Sequence, residues 1–557
     1  MKKLLLSFSL LLCFFPVTLV LAQSAYAPLQ ESYYHLLHRY ELLDGHWSPA
    51  LGSMVRPTQR EAIAQFLDSL QLSDPSQADA FNLHYLLLDN WEYSDTLAQN
   101  SRKSLLGVFY KNQRDLLSVR QKDFELFVNP VLHLEVGADE GEGTPYINTR
   151  GVQLHGTIDD KIGFYTYIGE NQAAFPVYVD RYIRRQLNVP QEGFWKGYGE
   201  RSVDFLTARG HISFKASKHI DLQLGHDRHF IGNGYRSLLL SDFANNYLFL
   251  RINTQVWKLQ YTNIFAQMTA DITGNSTGLY GTAAFPHKYF ALHRLGATIT
   301  PKLQLGLFES ITYGDASGNF DFNYLNPIIF YRAVEQQGGS SGNAQLGMDI
   351  RWLPLKGLAI YTQALMDEFV ISEIRSGNNW WGNKYALQFG LEYADALTIS
   401  NLDLQLEYNR VRPYTYSHED LYRSYTHYEQ PLAHPLGANF QEVIGIARFQ
   451  PIGRLQLQAK LIVAQYGGDT LSSNWGQNIL LDNRTKEQDY NNVLGQGVPN
   501  NLLITDFIAS YQLWHNMFID LRYLHRSRQN DLLPATETTN YTSLALRWNI
   551  RQRYYDF

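Results

Sequence analysis

The sequence has almost no cysteine. Cys13 is the one cysteine among 557 residues, and it lies in an apolar N-terminal run. Beyond that run there is no disulfide, no thiol nucleophile and no cysteine-based metal site. Charge is also scarce, at 18% of residues with a net charge of −6. No basic stripe is present, so no nucleic-acid partner is expected. After the N-terminus, no run reaches the roughly 18 apolar residues of a membrane helix. No nucleophile elbow, HExxH motif or phosphate loop occurs, so neither an enzyme nor a cofactor is expected.

Each end of the sequence has its own character. Lys2 and Lys3 precede a nearly unbroken apolar run from Leu4 to Ala22. This reads as a signal peptide over residues 1–22, cleaved after Val20-Leu21-Ala22, with Ala25-Tyr26-Ala27 as the second choice of site. Residues 23–120 carry helix-like spacing in LQESYYHLLHRYELL, TQREAIAQFLDSL and DPSQADAFNLHYLLLDNW. They predict a small helical region, periplasmic or plugging the barrel mouth. At the far end, SLALRWNI (543–550) places Leu544, Leu546, Trp548 and Ile550 on one face, and the sequence closes on YYDF. That pattern predicts a final membrane strand ending in an aromatic residue.

Between these ends the period becomes two. Tyr385, Leu387, Phe389, Leu391 and Tyr393 alternate with Lys384, Ala386, Gln388, Gly390 and Glu392. Leu402, Leu404, Leu406 and Tyr408 alternate with Asp403, Gln405, Glu407 and Asn409. Such segments approach the 9–11 residues of a membrane strand, not the 5–6 of a soluble one. Connections alternate in length. Short ones include IDDK (158–161), TPK (300–302) and PIG (451–453); long ones fall near 171–202, 229–246, 315–343, 412–440, 467–501 and 527–540. A soluble sandwich has no reason to segregate loop length by end. The reading is an all-β transmembrane fold: an antiparallel outer-membrane β-barrel of about 18 strands over residues 121–557.

The long connections hold the unusual peptides. FIGNGYRSLLLSDFANN (230–246) carries a leucine run, which predicts a segment folded back over the barrel mouth, with Gly232 and Gly234 turning the chain. Gly-Asn-Gly-Tyr-Arg-Ser…Leu-Ser-Asp, Tyr-Leu-Asn-Pro followed by Arg332 and Glu335, Asn343…Gly347-x-Asp349 and Leu-Ala-His-Pro-Leu-Gly-Ala-Asn occur in that order. This order resembles the capsule-assembly Wzi family, and more closely its Bacteroidetes branch, with its RemB-like gliding-motility proteins. The resemblance covers most of residues 120–557. It implies an 18-stranded barrel in the cell outer membrane, in contact with outer-membrane lipids, that holds capsular or other surface polysaccharide.

Arg236, Asp242, Tyr331, Arg332, Trp380, Trp381 and His434 are of the types that hold sugars, by aromatic faces and planar hydrogen-bonding groups. Each has a structural alternative: Arg236 and Asp242 pairing with lumen charges, Trp380 and Trp381 in an aromatic girdle. His418, His427 and His434 match no regular zinc spacing. Asp367 and Glu368 point to opposite faces of a strand and so make a poor catalytic pair. The leading expectation is a non-enzymatic polysaccharide-binding barrel. A gliding-motility or adhesion component and a porin-like channel are the alternatives.

Overall fold

A computed structural model describes residues 24–557 except 95–112, 273–284, 339–341, 533–534 and positions 53, 73, 142, 200 and 271. The expected leader, 1–22, lies outside the described residues.

Eighteen long antiparallel strands close into one barrel. In chain order they are β1 Phe124–Ala138, β2 Tyr146–Ile158, β3 Ile162–Ala174, β4 Ser202–Ser217, β5 Ile220–Asp227, β6 Tyr247–Val256, β7 Leu259–Thr269, β8 His287–Thr300 and β9 Leu303–Tyr313. The series continues with β10 Asn343–Leu355, β11 Leu358–Glu368, β12 Lys384–Tyr393, β13 Leu402–Val411, β14 Phe440–Ile452, β15 Leu455–Gly468, β16 Val498–Trp514, β17 Met517–Asn530 and β18 Glu537–Trp548. Closure comes from β18 against β1, with Thr542 opposite Ala138 and Trp548 opposite Leu132. Alternation sets the two faces. In β13, Leu406 points outward and is exposed, while Asp403, Glu407 and Asn409 point inward and are buried. Tight turns gather at one end and long connections at the other. The connection expected over 527–540 is shorter, 531–536, because β17 and β18 both run further.

The lumen is filled from the short-turn end by helices α1 Glu31–Asp44, α2 Arg60–Ser69 and α3 Gln77–Asp89. Ser76 caps α3, accepting from the Asp79 N–H while the Asp79 carboxylate accepts from the Ser76 N–H. Ion pairs and hydrogen bonds tie these helices to the barrel's inner wall. Arg39 pairs with Asp79 at 3.1 Å, Asp395 at 2.7 Å and also Asp403; Arg351 meets Glu41 at 3.1 Å. Asn82 and Gln450 exchange hydrogen bonds of 2.7 and 2.9 Å.

The end of the sequence departs from expectation. β18 stops at Trp548, and Asn549 takes a left-handed φ of +54°. Its N–H donates to the Asn516 carbonyl and its side chain to that of Pro130. The chain thereby leaves the wall and runs back through the lumen. Ile550 is buried beside Val131, Tyr165 and Tyr167, not on the outward face with Leu544 and Trp548. Phe557 packs in the lumen against Tyr182, with ring centroids 4.6 Å apart. Arg551 and Arg553 explain the turn inward: these charges find partners in Asp242 and Asn171 and would find none on the apolar outer wall.

Candidate functional site

The segment 230–246 seals the long-connection end. Leu238, Leu239 and Leu240 are wholly buried, each worth about 1.5–3 kcal/mol of burial. A buried irregular loop must satisfy its backbone, and this one does so with borrowed groups. Tyr416 and Tyr425 hydroxyls donate to the Leu238 and Leu239 carbonyls at 2.8 and 2.6 Å. Gln363 accepts from the Leu238 N–H at 2.8 Å and donates to the Ile231 carbonyl at 2.9 Å. Gly232, with φ +127°, matches the expected turn. Gly234 is required for a different reason: a Cβ there would sit 2.4 Å from a Glu407 oxygen.

Three carboxylates bolt this cap in place. Glu407 accepts from the N–H groups of Tyr235 and Arg236 at 2.8 and 3.1 Å. Glu442 takes the Arg236 guanidinium at 3.4 Å and His434 Nε2 at 2.8 Å. His434 Nδ1 accepts from the Leu436 N–H, so Nε2 carries the proton. Burial holds the His434 imidazole below its ordinary range, against the upward pull of Glu442. Asp556 binds Lys460 at 2.7 Å and the Tyr235 hydroxyl, while its carbonyl accepts from Arg236 at 2.6 Å. Burial works to raise the Asp556 carboxyl, but Lys460 and Arg236 outweigh it and hold it at about 2.

The seven residues singled out from the sequence do not converge. Arg236 and His434 meet on Glu442 inside the cap. Asp242 lies nearby and pairs with Arg551 at 3.3 Å. Tyr331 and Arg332 sit on the outer wall, where Tyr331 stacks on His293 at 4.0 Å. Trp380 and Trp381 form a pair of half-exposed rings, 6.0 Å apart, in the β11–β12 connection. The 469–497 connection supports that pair: Trp381 N–H donates to the Asp489 carbonyl at 2.9 Å, and Asn491 N–H to that of Asn378 at 2.8 Å. Lys384 and Lys486 place ammonium groups 4.9 and 4.5 Å from the Trp381 ring. Tyr490, 45% exposed, lies next to Asp489 on the same connection. The result is an aromatic surface bordered by asparagines and Lys486, with Lys384 buried beneath the Trp381 ring.

Sequence reasoning missed Glu407, Glu442, Lys460 and Asp556. The first three occupy ordinary inward positions of alternating strands, and Asp556 sits in a segment that reads as strand. Nothing in their spacing marks them out.

No curated protein matches the chain. Among solved structures it is similar to Wzi of Escherichia coli, described as an outer-membrane protein of group 1 capsule assembly and a carbohydrate-binding β-barrel. Identity is 14%, the TM-score is 0.58, and the match covers 96% of this chain and 100% of that one. Two Pseudomonas aeruginosa barrels follow: OprD, at 10% identity and TM-score 0.42 over 76% of this chain and 94% of that one, and OccK2, at 9% and 0.43 over 77% and 97%. Residues 142–468 match the family described as capsule assembly protein Wzi. The chain belongs to the Wzi capsule-assembly family.

Proposed function

We propose that this chain is a non-enzymatic outer-membrane barrel that binds capsular or other surface polysaccharide and supports its attachment or assembly. Its long connections face outward and its helical region faces the periplasm. The family's described role supports this, as does the carbohydrate binding named for the Escherichia coli barrel. One observation carries the reading further. Eighteen strands enclose enough width for a channel, yet the lumen holds three helices, a leucine cap and the 549–557 segment. Such a barrel suits retention at its outer rim better than passage.

At that rim the Trp380–Trp381 surface is the sugar contact: an aromatic face for C–H groups, with Asn and Lys at its border for hydroxyls and acids. Arg236, Asp242 and His434 shape the cap from within. The test is retention of purified protein on immobilised polysaccharide from the producing cells. Trp380→Ala, on a half-exposed ring, should weaken retention by about 5–30-fold, equivalent to ~1–2 kcal/mol. Undiminished binding by this variant removes the rim assignment. A deletion strain that keeps its cell-bound polysaccharide but stops spreading would favour the motility role suggested by the Bacteroidetes-branch resemblance. Steady open-pore current through the intact protein would favour the channel.

A further inference from the structure

The outward faces of β6 to β10 are mostly apolar, and one polar row runs across three adjacent strands in their midst. Asn263, His293 and Glu309 stand directly opposite one another on β7, β8 and β9. They share the outward face with Phe265, Ala291 and Ile311, yet all three are buried. Bare polar groups on a lipid-facing wall are costly.

The β9–β10 connection is what covers them. Tyr331 stacks on His293 with an interplanar angle of 20°, and the Arg332 N–H donates to Glu309 at 3.2 Å. Lower down, the Tyr261 hydroxyl donates to the Pro327 carbonyl at 2.5 Å. Higher up, Tyr324 lies 4.4 Å from Tyr313, and the Tyr289 hydroxyl donates to the Gly318 carbonyl at 2.9 Å. The connection therefore does not stand above the barrel. It descends its outside.

Register gives the depth. Pro327 is level with Tyr261, which shares a row with Leu295 and Leu307. From Tyr313, at the long-connection end of β9, down to Leu307 is about 20 Å along the strand. With strands tilted by roughly 40°, that is ~15 Å along the barrel axis, inside an apolar band about 25 Å tall. The exposed tryptophans Trp257 and Trp352 mark the band's other edge at the short-turn end.

Along this descent the connection presents Phe322 near the top, beside Phe320, and Ile328 and Phe330 lower down, 76%, 81% and 73% exposed. They continue the exposed apolar wall of Leu248, Leu295, Leu307 and Leu346. Arg332 is on the helix that climbs back out and pairs with Glu335 at 2.6 Å, so its long side chain can reach toward the headgroups. We propose that residues 318–335 are a membrane-immersed clamp that shields the Asn263–His293–Glu309 row and contacts lipid acyl chains through Phe322, Ile328 and Phe330. The inference rests on the barrel spanning a membrane and is independent of the polysaccharide reading.

The single cysteine, Cys13, makes the test clean. In a Cys13→Ser background, nitroxides are placed at Ile328→Cys and Phe330→Cys, with Leu406→Cys on the bare wall and Ser317→Cys near the top of the connection as references. The full chain is reconstituted in bilayers, and collision with oxygen is compared with collision with a water-soluble nickel chelate. The expected result is an oxygen-to-nickel ratio at 328 and 330 close to that at 406 and several-fold above that at 317. A ratio matching position 317 places the segment in water and overturns the proposal. Low collision with both reagents, with spin–spin broadening, means a second copy covers the face and also overturns it. Independently, Tyr331→Ala should lower the Tm by several degrees through uncovering His293; an unchanged Tm counts against the shield.

Discussion

The two ends of the lumen are closed by opposite chemistry. At the long-connection end, an apolar cap of Leu238–Leu240 is packed among Leu292, Phe308, Leu365 and Leu432. At the short-turn end, the helices are held by guanidinium–carboxylate networks: Arg39 on Asp79, Asp395 and Asp403, Arg60 on Asp89, and Arg114 on Glu92. The closures touch through a two-residue ladder in which Val55 and Arg56 pair with Ile231 and Phe230. The leucine packing itself responds little to salt or pH, although the carboxylates that anchor the cap, Glu442 and Asp556, also rely on ion pairs. Buried ion pairs cost desolvation but specify geometry, and they fail when one partner loses its charge. The difference implies a seal at the long-connection end whose apolar core outlasts the loss of its ionic anchors, and a plug at the short-turn end that is conditional on protonation.

The largest effect should come from placing charge in the outer seal. Leu239 is fully buried, its carbonyl already bonded to Tyr425. Leu239→Asp brings an unpaired carboxylate into that cluster, which is expected to cost upwards of ~4 kcal/mol and to expel the loop. Thermal denaturation should show the loss, and planar-bilayer recordings should show more current than wild type gives. A stable, non-conducting variant would mean the leucine run is not the seal.

A smaller and graded effect is expected from acid at the other end. Burial tends to raise Glu92, but Arg114 and the His155 hydrogen bond outweigh it and hold its carboxyl at about 2; Asp89 is likewise held well below the usual range by Arg60 and Arg114, against its burial. A carboxyl depressed in the folded state stabilises above its unfolded value and loses that stabilisation as pH falls through the folded one. From 4.5 to about 2, Glu92 alone carries about 3 kcal/mol. Plug stability should therefore hold down to pH ~4.5 and decay toward pH ~2. Hydrogen exchange of α2 and α3 amides should accelerate over that window while the 238–240 amides stay protected. Parallel loss at both ends would erase the distinction between the closures.

Much of this architecture was legible in the residues. Strict alternation marked nearly every strand, because a wall with lipid on one side and a polar lumen on the other leaves no other periodicity. The leucine run between Gly234 and Asp242 announced a buried cap, since no exposed loop tolerates it. Two features escaped for physical reasons. Residues 549–557 follow a cleanly alternating strand and close on an aromatic, so they read as its continuation; the left-handed Asn549 and the lumen partners of Arg551 and Arg553 turn them inward. The row Asn263–His293–Glu309 falls on the outward face by register, but it is spread over three strands whose relative alignment no single stretch of sequence contains. The sugar-type residues were recognisable by kind and not by place. Trp380 reached the rim, Arg236 and His434 became cap bolts, and Tyr331 went to the outer wall.

The subtlest predicted effect sits at the rim. Gly382 lies directly beneath Trp380: a Cβ there would come 2.3 to 2.7 Å from three atoms of the indole's six-membered ring. An indole is rigid, so Gly382→Ala must push Trp380 off its seat or shift the backbone between Trp381 and Asn383. Neither movement disturbs the leucine cap or the helical plug, which are built from other segments, so the Tm should stay within a few degrees of wild type. Polysaccharide retention should fall by roughly threefold, ~0.7 kcal/mol, less than for Trp380→Ala because the ring persists but is misplaced. Equal losses from the two variants would mean that the position of the indole is all that matters. No loss from Gly382→Ala beside a large loss from Trp380→Ala would mean that its apolar area suffices wherever the ring lies.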